Sequence, residues 1–437
     1  MTTTRLAALA GEDPPLHELA ERLLSVAESG LPAMYLADRD TFVFTRAARE
    51  PAGRPPSHGA DPAWRLENRG TSLRYSAITA LGARLLPEAR QRAVLGGHTA
   101  EEFTGLLVQQ LPGTTNLGDA ALVAWAAAET GHPKLADALD RVAALDTGDG
   151  PRYTVEAAWV LSALAAARAT ADVEPRLAAA RDRLLRSRAA GSPLFPHATA
   201  PGLVPRYRAH VSCFADQVYP LQALARLHAS GRDAEALAAA DACAARICDL
   251  QGDAGQWWWH YDARTGAVIE GYPVYSVHQH AMAPTALFDL TDAGGADHGA
   301  AVRRGLAWMA GPPELAGTGR SEPMILDEDG VTWRKVHRGD PAKAVRAARG
   351  LATRPLPGAR LGVLDRVYRP TAVDRECRPY EFGWMLYAWL APQRTGGAQD
   401  PEPRAAAEPP AVPGPPTVPE PRTAVEPRTA AEPEARG

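Results

Sequence analysis

Twelve helix-length segments in strict alternation constrain this chain more than any other feature. They cover residues 16–27, about 72–84, 101–110, 116–129, 134–144, 155–168, 174–187, 214–228, 234–250, 280–290, 298–309 and 381–390. The first of each pair is amphipathic, as in LHELAERLLSVA, where Leu and Ala recur at i, i+3 and i+4. The second is apolar nearly all round, as in AALVAWAAA and EAAWVLSALAAA. A helix without a polar face must be enclosed by protein on every side. Six outer and six inner helices in alternation describe an all-α fold, the (α/α)6 barrel or toroid of six helical hairpins. A solenoid would need repeats closer in length than these.

The links from outer to inner helix are long in hairpins one, four, five and six, and they contain strand-like pieces. MYLADRDTFVFTRA alternates around Asp38 to Asp40, and the stretch after Trp257 turns at Asp262 to Gly266. All such links emerge at one end of a toroid, beside the N-termini of the inner helices. Small β-hairpin insertions at that end make it the expected functional face.

Composition sets outer bounds. The 437 residues carry a net charge of −4, which does not recommend nucleic acid as a partner. No signal-like leader and no run long enough to span a bilayer is evident, so a cytoplasmic location and no transmembrane segment are expected. Cys213, Cys243, Cys248 and Cys377 form no CxxC pair and read as free thiols. The toroid domain is expected over residues 1–395. Residues 396–437, rich in Pro, Ala, Glu and Arg, read as a disordered tail that can be removed. Oligomeric state is not fixed by the sequence.

The inner-helix starts share residue types: Arg74 and Tyr75, Asn116 and Asp119, Tyr153 and Glu156, Asp216 and Gln217, His278 and His280, Tyr380 and Glu381. Carboxylates there either cap helices or serve chemistry. Asp216 and Glu381, with aromatic and basic companions, are the candidate catalytic pair. Asp216 stands four before Pro220 and His280 four before Pro284, which puts an acid and an imidazole at equivalent places on neighbouring inner helices. Tyr275, His278 and His280 are the alternative proton carriers. Trp257, Trp258, Trp259 and Tyr261 form an aromatic run suited to stacking on a ligand. Tyr75, Arg74, Glu156, Trp384 and Arg378 complete the expected substrate-binding set. His278 and His280 lack a third ligand at a familiar spacing, so no metal and no cofactor is expected.

Gln251, Gly255 and Trp257 read Q-x-x-x-G-x-W, which is similar to the QW element of terpenoid-cyclase and prenyltransferase toroids. Those enzymes also need an acid motif, and the nearest here, Asp38-Arg39-Asp40-Thr41, falls in a hairpin. As architecture, residues 16–391 resemble the six-hairpin glycosidases, uronyl epimerases and polysaccharide lyases. That resemblance implies a carbohydrate-active enzyme doing acid–base chemistry on a glycan or small-molecule substrate in bacterial polysaccharide or glycoconjugate metabolism. An isoprenoid-directed toroid and a non-catalytic glycan- or protein-binding scaffold are the alternatives.

Overall fold

The computed structural model describes residues 3–49, 65–316 and 322–393. These lie in one compact unit, Met1–Gly396; the expected tail, 396–437, is outside the described residues.

All twelve expected helices are present. The outer helices are Pro14–Gly30, Ala100–Gln110, Leu135–Leu145, Glu174–Ser187, Ala234–Asp249 and Gly299–Trp308. The inner helices are Leu73–Ala83, Leu117–Thr130, Thr154–Ala167, Ala215–Gly231, Ala283–Asp292 with the turn His278–Met282 before it, and Pro379–Leu390. Each inner helix packs on the next, and the sixth closes on the first. The third shows what an inner helix demands: Ala157 through Ala165 is buried without interruption. Alanine lets neighbouring helices approach closely while keeping high helix propensity.

Ring closure depends on two glycines. A Cβ on Gly82 would lie 2.0 Å from the carbonyl oxygen of Gly383, and one on Gly383 would lie 2.6 Å from that of Ile78. The first and sixth inner helices therefore touch backbone to backbone. The chain ends are also joined at this seam: Arg5 N–H donates to Ala391 O and Gln393 N–H to Thr3 O.

The fifth inner helix departs from expectation at its start. His278–Met282 is a π-type turn, closed by Ala283 N–H donating to His278 O. Pro284 follows, and proline has no N–H to give to the carbonyl four residues back. That carbonyl, of His280, instead accepts from Trp389 Nε1 at 2.8 Å on the sixth inner helix.

The strand-like links are small antiparallel sheets. Tyr35–Leu36 pairs with Thr41–Phe42, and Thr45–Arg49 lies between Arg65–Arg69 and Glu376–Cys377. Val211–Cys213 pairs with His260–Asp262, which pairs with Ala267–Glu270. Val274–Tyr275 and Ala372–Asp374 flank Lys335–His337. Link six also holds two helices that the sequence reading lacks, Ala344–Thr353 and Gly362–Val367. Buried Glu270 anchors the first of them, ion-paired with Arg338 at 3.1 Å and with Arg349 at 3.0 Å. A buried carboxylate is tolerable when two guanidiniums face it.

The Q-x-x-x-G-x-W element proves to be a structural tie. Gln251 Nε2 donates to Gly255 O and Ala301 O, both at 2.9 Å, and its Oε1 accepts from Arg304. This joins the end of the fifth outer helix to the sixth. Among the described residues no helix is long and apolar enough to cross a membrane.

Candidate active site at the toroid mouth

Three cavities open at the N-terminal end of the inner helices. A central one of about 170 Å³ is walled by Tyr75, Trp159, Trp259, Tyr275 and Tyr380, with Arg74, His278 and Arg334 among them. A second, of about 640 Å³, shares Trp259 and extends past His197, Cys213 and His260. A third, of about 610 Å³, shares Tyr275 and Arg334 and extends past Arg378 and Asp374. The second and third also share Ala342, Lys343 and Arg346. Residues 342–346 thus lie between two arms of one groove. Ala342 and Lys343 have φ of 48° and 60°, the left-handed region that costs L-residues about 1 kcal/mol or more each.

The aromatic run divides by depth. Trp257 is fully buried against Phe214, with Gly305 beside it, and does not reach the groove. Trp258 packs edge-on against Tyr272. Trp259 does reach the groove and stacks on His278 at 5.7 Å, beside Tyr275 at 4.7 Å. Tyr261 is core, and Trp384 is core too, its Nε1 donating to Tyr219 OH at 3.0 Å. Of the five expected stacking residues in these positions, Trp259 alone lines the groove.

Arg74 and Tyr75 line the central cavity and Arg378 the third, while Glu156 lines none of the three and lies beside Asn116 at the start of the third inner helix. Arg74 Nε donates to Asp119 at 2.7 Å and its Nη2 to Asn116 Oδ1 at 2.7 Å. The cap of the second inner helix is Asn116, which accepts from Asp119 N–H, so the Asp119 carboxylate is free for the arginine. Glu156 accepts a long contact from Asn116 Nδ2, 3.5 Å, and does not cap its helix either. Half-burial pushes its carboxyl up despite Arg74 nearby. Arg378 donates to Tyr75 OH at 3.0 Å and lies over Phe44 at 4.3 Å.

The expected Asp216–Glu381 pair does not face the groove. Asp216 is completely buried; its Oδ2 accepts from Cys213 N–H at 2.7 Å and contacts His197 Nδ1 at 2.9 Å. His197, which the sequence reading did not name, is the member of that pair exposed to the groove, and the bond to Asp216 raises its pKa. Glu381 is also completely buried, 4.0 Å from Arg334 Nε, with neither oxygen hydrogen-bonded among the described residues. Burial pushes its carboxyl up to about 8. His280 is enclosed and His278 lines the central cavity; burial drives both down to about 3, so both are neutral imidazoles. Tyr275 lies under two cations, Arg334 at 5.0 Å and Lys335 at 5.5 Å.

The groove is cationic. Arg346 makes no ion pair or side-chain hydrogen bond among the described residues, although it is half-buried and lines both arms. Arg208 and Lys343 stand beside it. Arg334 and Arg346 were invisible to the sequence reading, because link six has no pattern that locates a side chain.

No family model and no curated protein matches the chain. Solved structures do. An unsaturated glucuronyl hydrolase specific for heparin superposes with a TM-score of 0.50 at 14% identity, over 85% of this chain and 95% of that one. The unsaturated glucuronyl hydrolase responsible for glycosaminoglycan degradation in Bacillus sp. GL1 gives 0.52 at 14% identity, with the same coverage. What they share with this chain is the (α/α)6 toroid. At this identity the likeness carries the fold and no residue role.

Proposed function

We propose that the protein is a carbohydrate-active enzyme that performs acid–base chemistry on a sugar bearing a negative charge. The observation that carries this reading is the composition of the groove. Ring-sized aromatic walls, Tyr75, Trp259, Tyr275 and Tyr380, stand among Arg74, Arg334, Arg346 and Arg378. Aromatic faces suit the apolar faces of pyranose rings, and guanidiniums suit a carboxylate bidentately. Glu156 is the candidate proton donor. Its half-buried carboxyl has a raised pKa and sits at the same mouth as the Arg74–Asp119 pair. A general acid of this kind contributes roughly 10²–10⁴ in rate.

The solved toroids named above act on unsaturated glucuronyl groups, which supports testing that substrate class first. The isoprenoid alternative draws no comparable support, since Gln251 serves as a structural tie, Trp257 is buried in the core, and two arginines, Arg74 and Arg334, line the central cavity. The experiment is a panel of oligosaccharides with saturated uronate, unsaturated uronate or neutral terminal sugars, followed by mass spectrometry. Turnover is expected for acidic members, lost by about 10² or more in Glu156→Gln with KM little changed. Failure of the folded protein to convert any acidic member overturns the reading.

A further inference from the structure

We infer that the protein holds a divalent metal ion of the zinc class at the far wall of the groove, on His197, Cys213 and Asp216. A ring nitrogen of His197, the Cys213 sulfur and a carboxylate oxygen of Asp216 all lie within 4.8 Å of one another. Imidazole, thiolate and carboxylate together are the donor set that zinc accepts in four-coordinate sites. Zinc bond lengths of about 2.0–2.3 Å put tetrahedral ligand atoms some 3–4 Å apart, so closing on an ion needs only small movements.

Three features separate this cluster from a chance meeting of polar side chains. Asp216 is 0% exposed, yet its Oδ1 has no hydrogen-bond partner among the described residues. A buried carboxylate oxygen left bare is costly, and a bound cation would remove that cost. His260 stands directly across the strand pair from Cys213, lines the same cavity, and has a buried Nδ1 that is also without a hydrogen-bond partner among the described residues. The ligands come from two separate parts of the chain: His197 from the link before Val211, and Cys213 with Asp216 from the short strand and the first turn of the fourth inner helix that directly follows it. The hydrogen bond between His197 and Asp216 marks where the ion would replace a shared proton.

Thiolate and carboxylate balance the two positive charges of the ion. A group bound in the 640 Å³ cavity takes the remaining position, and nearby Arg208 and Arg346 favour an anionic occupant there. His278 and His280 take no part, since neither belongs to this cluster.

The test uses the full chain, freed of metal with a chelator and titrated with cobalt(II), then with zinc in competition. A cobalt–thiolate charge-transfer band with tetrahedral visible bands, saturating at one ion per chain, is expected. Cys213→Ser should abolish the charge-transfer band, and His197→Ala should weaken binding by at least about tenfold. Cys248→Ser, on the fifth outer helix, should leave both unchanged. Thermal melting accompanies each variant, so that a misfolded protein is recognised. Absence of the band in folded wild-type protein, or an unaltered band in folded Cys213→Ser, overturns the inference.

Discussion

At the residue scale, buried ionisable groups govern the pH response. Glu381 holds its proton to about pH 8 when folded and releases it at the ordinary carboxylate pKa when unfolded. Between those values the folded state binds more protons. Stability is therefore full below the unfolded value and falls as pH rises toward 8, by about 1.4 kcal/mol per pH unit. Glu381→Gln should remove that slope and raise the melting temperature at pH 8, which scanning calorimetry across pH will read. His278 and His280 act in the opposite sense. Their folded pKa values near 3 lie below the ordinary imidazole value, so stability present above about 6.5 is lost as the pH falls toward 3. For catalysis, the rate that depends on Glu156 as an acid should decline as pH rises through its raised pKa. A pH–rate profile unchanged by Glu156→Gln would remove it from that role.

At the element scale, helices were legible and side-chain destinations were not. Periodicity located all twelve toroid helices because burying an inner helix requires a sequence apolar on every face, and such a sequence has no other use in water. It could not say which of three adjacent tryptophans faces the groove, since that depends on where the strand pairs with Val211–Cys213 and Ala267–Glu270. It placed Asp216 and Glu381 at helix starts correctly, but a first-turn position fixes neither depth nor direction. His197 and Arg346 come from links whose conformation is set by tertiary contacts such as Glu270 with Arg338 and Arg349. The Q-x-x-x-G-x-W tie gives an element-level prediction. Gly255 has φ of 89° and a Cβ there would lie 2.0 Å from Arg304 O. Gly255→Ala should cost roughly 2 kcal/mol or more in unfolding free energy by denaturant titration, without altering the groove residues.

At the scale of the whole molecule, the toroid is a closed ring whose ends are fastened together. The seam is complete by Gln393, through its bond to Thr3 and that of Arg5 to Ala391. We therefore propose that a chain ending at Thr395 keeps its melting temperature and activity; a drop of several degrees would assign part of 396–437 to the folded domain. The ring also brings long outer-to-inner links to one mouth, where cations of links four and six gather around the aromatic walls. That gathering is the central claim, and calorimetric titration tests it most directly. A glucuronate-terminated disaccharide should bind wild-type protein at least about tenfold, or 1.4 kcal/mol, more tightly than its glucose-terminated counterpart. The difference should collapse in Arg346→Gln. Equal affinity for the two sugars, or a preference untouched by that substitution in folded protein, would contradict the account.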